Sequence, residues 1–264
     1  MLIEADSGEE ALIGGVEKMS KSKRNTVDPD EIISTFGADT ARWFVLSDSP
    51  PERDVIWTEE GVQGAGKFVQ RLWRLVGELR FLGGAGGQSP PAQFSPPAVA
   101  VRRAVHASLL KVEEDIERLR FNRAVAQVHD LANKLGAAVG AVESADIAPD
   151  MRYAFREAAE TLVLLFAPMM PHLAEECWSR LGHEDLVSEA PWPVADRALV
   201  KEDTIELPVQ VNGKKRADLV IDRAAGAAAI EAAALGLEAV QRALEGRPVK
   251  KVIIVPQRIV NVVA

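Results

Sequence analysis

The feature that most restricts this chain is a change of hydrophobic period at Pro191-Trp192-Pro193. Before it, apolar residues recur at steps of three and four. Val62, Ala65, Val69, Leu72, Val76 and Leu79 form one stripe. Val101, Val105, Leu109, Val112, Ile116 and Leu119 form a second, and Phe121, Val125, Val128, Leu131, Leu135 and Ala138 a third. Such spacing puts each set on one face of a helix. Two further helices are predicted, from about Met151 to Phe166 and from Pro171 to Leu181-Gly182, with Pro168 and Pro171 breaking the chain between them. Amphipathic helices with short connections pack as an antiparallel bundle. After Pro193 the period becomes two. Ile205, Leu207, Val209 and Val211 alternate with other residues, as do Ala217, Leu219 and Ile221, and Asn212-Gly213 separates the runs. Asn-Gly suits a two-residue hairpin turn, because both turn residues need positive φ. A helix over Ala227–Leu244 and strands over Val252–Val255 and Ile259–Val263, around Pro256-Gln257, complete a small ββαββ unit.

The elements before the bundle are shorter. Asp28 ahead of Pro29 reads as a cap followed by a first-turn proline, and the helix it opens should stop at Gly37. Asp39 is expected to cap a second short helix reaching Leu46. Thr58 is expected to cap the first long helix, which runs into Gly83-Gly84-Ala85-Gly86-Gly87-Gln88-Ser89-Pro90-Pro91, a connection extending to about Pro97.

Length and charge narrow the class. With 264 residues there is room for about two domains. A net charge of −8 argues against a generally basic nucleic-acid-coating protein. The charge is uneven: net −5 over 1–49, −5 over 50–199 and +2 over 200–264. A single cysteine, Cys177, excludes an internal disulfide and a Cys-rich zinc ribbon and fits a reducing cytosol. Met1 to Glu17 carries five acids and no base, the opposite of a signal or transit peptide, and no apolar run is long enough to span a membrane. A cytoplasmic protein is expected.

Within the acidic first segment lies one basic stretch, Lys18-Met19-Ser20-Lys21-Ser22-Lys23-Arg24-Asn25. Four cations and two hydroxyls fall in eight residues with no acid. Such a loop suits phosphate, since each ammonium donates charge-assisted hydrogen bonds worth roughly 1.5–3 kcal/mol. Composition alone would equally allow a solvated basic loop or a generic nucleic-acid patch.

The literal order KMSKS, continued as KMSKSKRNTVDPDEIISTFGADTARWFVL, resembles the second signature of class I aminoacyl-tRNA synthetases for branched aliphatic amino acids and methionine. APMMPHLAEECW (Ala167 to Trp178) resembles their helical anticodon-binding domain. PWPVAD (Pro191 to Asp196), VQVNGKKRA (Val209 to Ala217) and KVIIVPQRIVNVV (Lys251 to Val263) are similar to the bacterial leucyl-tRNA synthetase family. The resemblance implies a mainly α fold in three parts. These are the end of a class I catalytic core with the KMSKS loop over 1–50, an anticodon-binding-type bundle over 51–198, and a tRNA-binding α+β domain over 199–264. It implies ATP-dependent ligation of leucine to tRNA(Leu), with ATP, its Mg2+, leucine and the tRNA as partners and no metal site in the chain itself.

Residue roles follow from the same resemblance. Lys21 is the principal catalytic and ATP-phosphate contact and Lys18 assists. Ser20 and Ser22 belong to the ATP-binding loop chiefly by shaping it, and Met19 is expected to anchor it in the core. Lys214, Lys215 and Arg216, beyond the Asn-Gly turn, are expected to contact tRNA, with Lys250 and Lys251 extending the patch. A charged hairpin that only discourages edge pairing is the alternative. His172 is expected to be a core or capping histidine, Cys177 a small buried residue, and the five tryptophans packing residues, with contact to the tRNA end as the alternative for Trp43 alone. Arg71 and Arg74 read as a solvated helix face or as tRNA contacts. The bundle's acidity fits a scaffold for tRNA better than a reader of anticodon phosphates.

The family's HIGH-type motif is missing, since no His-x-Gly-His occurs among His106, His129, His172 and His183. The chain is therefore expected to be the C-terminal part of a synthetase, without the leucine pocket or the editing domain. Two alternatives stay open. One is an isoleucyl, valyl or methionyl type, against which the single Cys and the strand-forming tail speak. The other is a free-standing tRNA-binding or scaffold module.

Overall fold

The computed structural model describes residues 2–3, 10–11, 15–143, 147–200, 204–222, 225–256 and 258–264. The chain divides into two compact units, Met1–Leu199 and Val200–Ala264.

The first unit opens with a short antiparallel pair, β1 (Leu2–Ile3) and β2 (Glu10–Ala11), followed by a single 3-10 turn at Lys21–Lys23. Among the described residues seven helices follow: α1 (Pro29–Phe36), α2 (Ala38–Asp48), α3 (Glu59–Gly83), α4 (Pro96–Glu117), α5 (Phe121–Gly140), α6 (Pro149–Phe166) and α7 (Pro171–Arg180). A further turn of helix, α8 (Arg197–Val200), lies at the division. Local signals set the boundaries. The Asp28 carboxylate accepts the Asp30 N–H at 2.9 Å, with Pro29 in the first turn. Gly37, at φ 87°, closes α1 and leads into α2, a conformation that favours glycine. Thr58 Oγ1 accepts from Gly61 N at 3.2 Å and opens α3.

The long helices meet along the stripes read from the sequence, except that Leu119, placed at the end of the second stripe, lies beyond the end of α4 at φ 55° and is exposed. Leu72, Leu79, Leu109, Leu131, Leu135, Leu162 and Leu165 are buried in one core. α2 shares it: Trp43 stacks on Phe68 with ring centroids 5.3 Å apart, and Phe44 meets Trp57 edge-on at 5.1 Å. The predicted cap at Asp39 is corrected. Asp39 lies within the first turn of α2, and its carboxylate leaves that helix altogether. One oxygen accepts the Leu173 N–H at 2.6 Å and the other meets His172 Nδ1 at 3.0 Å, so Asp39 caps α7, which has no capping side chain of its own.

The second unit contains β3 (Thr204–Val211), β4 (Lys214–Asp222), α9 (Ala227–Gly236), α10 (Glu238–Leu244), β5 (Lys251–Val255) and β6 (Ile259–Val263). The strand order is β4-β3-β6-β5, with β3 and β6 parallel and the other pairs antiparallel. Asn212 and Gly213 adopt φ 50° and 81°, the positive values their turn needs. Leu207, Val209, Val211, Leu219, Val260 and Val262 form a core with Ile230, Ala234, Val240 and Leu244 of the two helices. The single helix expected over Ala227–Leu244 is two helices. Leu237 is extended (φ −70°, ψ 127°) directly after Gly236, a poor helix former, and the backbone restarts from there. Gln257, read as part of the last turn, lies outside the described residues.

Candidate functional site

The basic loop is built by its own hydrogen bonds. Ser20 caps the 3-10 turn, its Oγ accepting from Lys23 N at 3.3 Å and lying 3.3 Å from Ser22 Oγ. Arg24 follows in the left-handed region at φ 53°. Asn25 closes the loop, accepting from Ser20 N through Oδ1 at 2.8 Å and donating through Nδ2 to Lys18 O at 3.4 Å. Sequence reasoning missed that clamp. The available signal was an amide side chain directly after the basic run, since Asn side chains bond nearby backbone in turns. Lys18, Lys21 and Ser22 are exposed and Ser20 is half-buried. Lys23 pairs with Glu17 at 2.8 Å, both exposed, an interaction worth at most about 1 kcal/mol.

Within this chain Met19 does not anchor the loop. It is 43 % exposed and belongs to neither hydrophobic core, so polar bonds among Lys18, Ser20, Ser22, Lys23 and Asn25 hold the shape instead. From Lys18 to Asn25 the loop presents ammonium groups, hydroxyls and a guanidinium, but no carboxylate. That donor set fits phosphate oxygens. Among the described residues, no group of three or more His, Cys, Asp or Glu is placed to hold a metal ion.

In the second unit, strand register gathers the expected tRNA contacts at one end of the sheet. Lys214 pairs with Val211 on β3, Val211 with Val262 on β6, and Lys251 with Val263 on β6. Lys214 and Lys251 thus stand on opposite edges of the same end, about 14 Å apart at the usual strand spacing. Lys250 N donates to Val263 O at 2.8 Å. Asn212 ties the hairpin to β6, with its N–H on Val262 O at 2.9 Å and its Oδ1 accepting from Ala264 N at 3.1 Å. All five cations of the set are exposed. They are not equivalent. Lys215 is paired with Asp218 at 2.7 Å. The ladder passes from Gln210↔Lys215 to Val209↔Ala217, leaving Arg216 as the extra residue of a bulge, a device that re-aims a side chain.

The remaining singled-out residues are mostly structural. Cys177 is buried, and burial pushes its thiol up to about 12. Trp43 is buried, and Trp178 stacks on His183 with centroids 3.7 Å apart. His172 is not a core residue: its side chain is 76 % exposed, because it sits at the outer side of the α7 start and touches Asp39 from there. His129 lies flat on Phe68, centroids 3.5 Å apart, and burial followed by the charge of Arg71 lowers its pKa. Arg71 is half-buried and Arg74 exposed. No helix of the described residues is long and apolar enough to cross a membrane.

A basic, self-braced loop leading through two short helices into a helical bundle is the arrangement the sequence resemblance implied. Residues 13–58 match the family of class I tRNA synthetases (I, L, M and V), and residues 100–231 match the anticodon-binding domain of tRNA ligase. The chain is 78 % identical over 98 % of its length to the leucine–tRNA ligase of Methylocella silvestris, and covers 30 % of that protein. It is 59 % identical, again over 98 %, to the leucine–tRNA ligase of Rhodopseudomonas palustris strain BisA53, covering 29 % of it. Among solved structures it resembles the Agrobacterium radiobacter K84 agnB2 LeuRS in a ternary complex with tRNA and LeuAMS. The TM-score is 0.77 at 31 % identity, over 93 % of this chain and 31 % of that one. The chain belongs to the class I tRNA ligases, as a C-terminal part of the bacterial leucine–tRNA ligase family. It spans about three tenths of the length of the relatives it matches.

Proposed function

We propose that this chain supplies the KMSKS loop, the anticodon-binding-type bundle and a tRNA-binding α+β module to an enzyme that joins leucine to tRNA(Leu) using ATP. Its parts are the core end with the loop over 1–50, the bundle over 51–198 and the module over 199–264. The observation that supports this reading is the 78 % and 59 % identity, over 98 % of this chain, to about three tenths of two leucine–tRNA ligases.

In the first step the leucine carboxylate attacks the α-phosphorus of ATP, forming leucyl-adenylate and releasing pyrophosphate. In the second, the leucyl group passes to the terminal ribose hydroxyl of the tRNA and AMP leaves. Negative charge grows on the leaving pyrophosphate. Cations that close over it stabilise the transition state more than the ground state, and that difference is what accelerates the step. Lys21 is the principal donor and Lys18 its assistant. Ser20, Ser22 and Asn25 hold the loop that presents them. Mg2+ accompanies ATP, and the loop offers phosphate donors rather than metal ligands. Lys214, Lys215, Arg216, Lys250 and Lys251 contact tRNA phosphate, fixing position without reading sequence.

The test is leucine-dependent ATP–pyrophosphate exchange by the Methylocella silvestris ligase carrying this chain in place of its matching segment. Lys21→Ala should lower kcat by roughly 10²–10³, the scale for losing one transition-state donor. The KM for leucine should barely move, because the lysine meets phosphate. A sharp rise in that KM at unchanged kcat would show that the role given to Lys21 is wrong.

A further inference from the structure

α2 is fastened to the corner between α6 and α7 by two oppositely charged side chains three residues apart. Asp39 is 8 % exposed and caps the start of α7 through Leu173 N at 2.6 Å. Arg42 donates from Nε to Met169 O at 3.0 Å and from Nη2 to Pro168 O at 2.9 Å, taking up carbonyls just past the end of α6. The charges suit their places, since a helix start favours an anion and a helix end a cation. The corner is rigid: Met169 and Met170 are fully buried, and both bond back to Phe166 O. On the other side, thirteen residues separate Asn25, which closes the basic loop, from Asp39, and most of them form α1, which packs on α2. The basic loop therefore reaches the bundle through α1, Gly37 and this latch.

We infer that Asp39 and Arg42 are positioning residues for amino-acid activation, holding the basic loop in register with the helical bundle so that Lys21 meets the phosphates at the right place. The inference rests on the assignment of Lys21 made above. The hydrogen bonds of both side chains go to α7 and to the α6–α7 corner. Their effect passes through the loop, and a displacement of about 1 Å can cost on the order of a hundredfold in rate.

A double-mutant cycle in the same hybrid enzyme tests it, with Arg42→Ala introduced with and without Lys21→Ala. With Lys21 present, Arg42→Ala should lower the kcat of ATP–pyrophosphate exchange at least about tenfold at unchanged leucine KM, and Arg42→Lys should restore part of it. With Lys21 absent, Arg42→Ala should cost less than about twofold, because residues acting as one unit are not additive. A merely structural Arg42 lowers the folded fraction and costs the same factor in both backgrounds, which would overturn the inference, as would no loss in the first. Should Arg42→Ala not fold, Asp39→Ala, which removes the acceptor for Leu173 N, must show the same dependence on Lys21. If Lys21→Ala itself costs nothing, the assignment of the loop falls and the inference with it. A cost for Lys21→Ala beside additive Arg42→Ala effects sinks the inference alone.

Discussion

His129 shows how much one side chain of the bundle reports. Its ring lies on Phe68 and 5.7 Å from Trp43, where α2, α3 and α5 meet. Burial and Arg71 hold its pKa below the ordinary value near 6.5. The sign follows directly. Above that pH both folded and unfolded chains carry the neutral ring. As pH falls, the unfolded chain binds a proton that the folded chain refuses, so stability drops by up to about 1.4 kcal/mol per pH unit until the folded pKa is reached. The stability difference between wild type and His129→Phe should then be constant above about pH 6.5 and change below it. Urea unfolding followed by tryptophan fluorescence reads this for the first unit, since all five tryptophans lie between residues 43 and 192. A difference independent of pH would mean that the ring titrates normally. At this scale the sequence was legible where bonding is local. Asp28 and Thr58 cap the helices that follow them. Asp39 was misread because its partners lie 133 and 134 residues away, and no spacing rule reaches that far.

The elements of the second unit were legible because period-two alternation and an Asn-Gly turn specify a hairpin almost alone. Leu207, Val209 and Val211 face the helices as that alternation requires. Two details were not legible. The Lys215–Asp218 pair and the bulge at Arg216 depend on register. Both change a prediction. Lys215 is already engaged, so Lys214 and Arg216 should carry most of the hairpin's phosphate binding. Replacing Lys214, Lys215 and Arg216 by Ala should flatten the slope of log K against log salt for tRNA(Leu) by about 1.4–1.8, two contacts at roughly 0.7–0.9 each. Filter binding across a salt series measures it. An unchanged slope would leave the three cations as a solvated hairpin that only protects a sheet edge.

For the whole molecule, the bundle and the α+β unit were readable as classes, while the joint between loop and bundle was not. KMSKS marks the loop by its order of residues, yet what braces the loop from within is Asn25, while Asp39 and Arg42 tie α2, further along the chain, to the α6–α7 corner. The chain alone, without a HIGH-type motif in its sequence, should give no leucine-dependent ATP–pyrophosphate exchange above a Lys21→Ala control, because activation needs leucine and ATP held together. Exchange by the isolated chain would require a nucleotide site of another kind. The most direct measurement of the central claim is leucine charging of tRNA(Leu) by the Methylocella silvestris ligase with this chain as its C-terminal segment. Charging should proceed at the parent's rate and be lost on Lys21→Ala. A folded hybrid that leaves tRNA(Leu) uncharged, or one that charges equally well without Lys21, would contradict that claim.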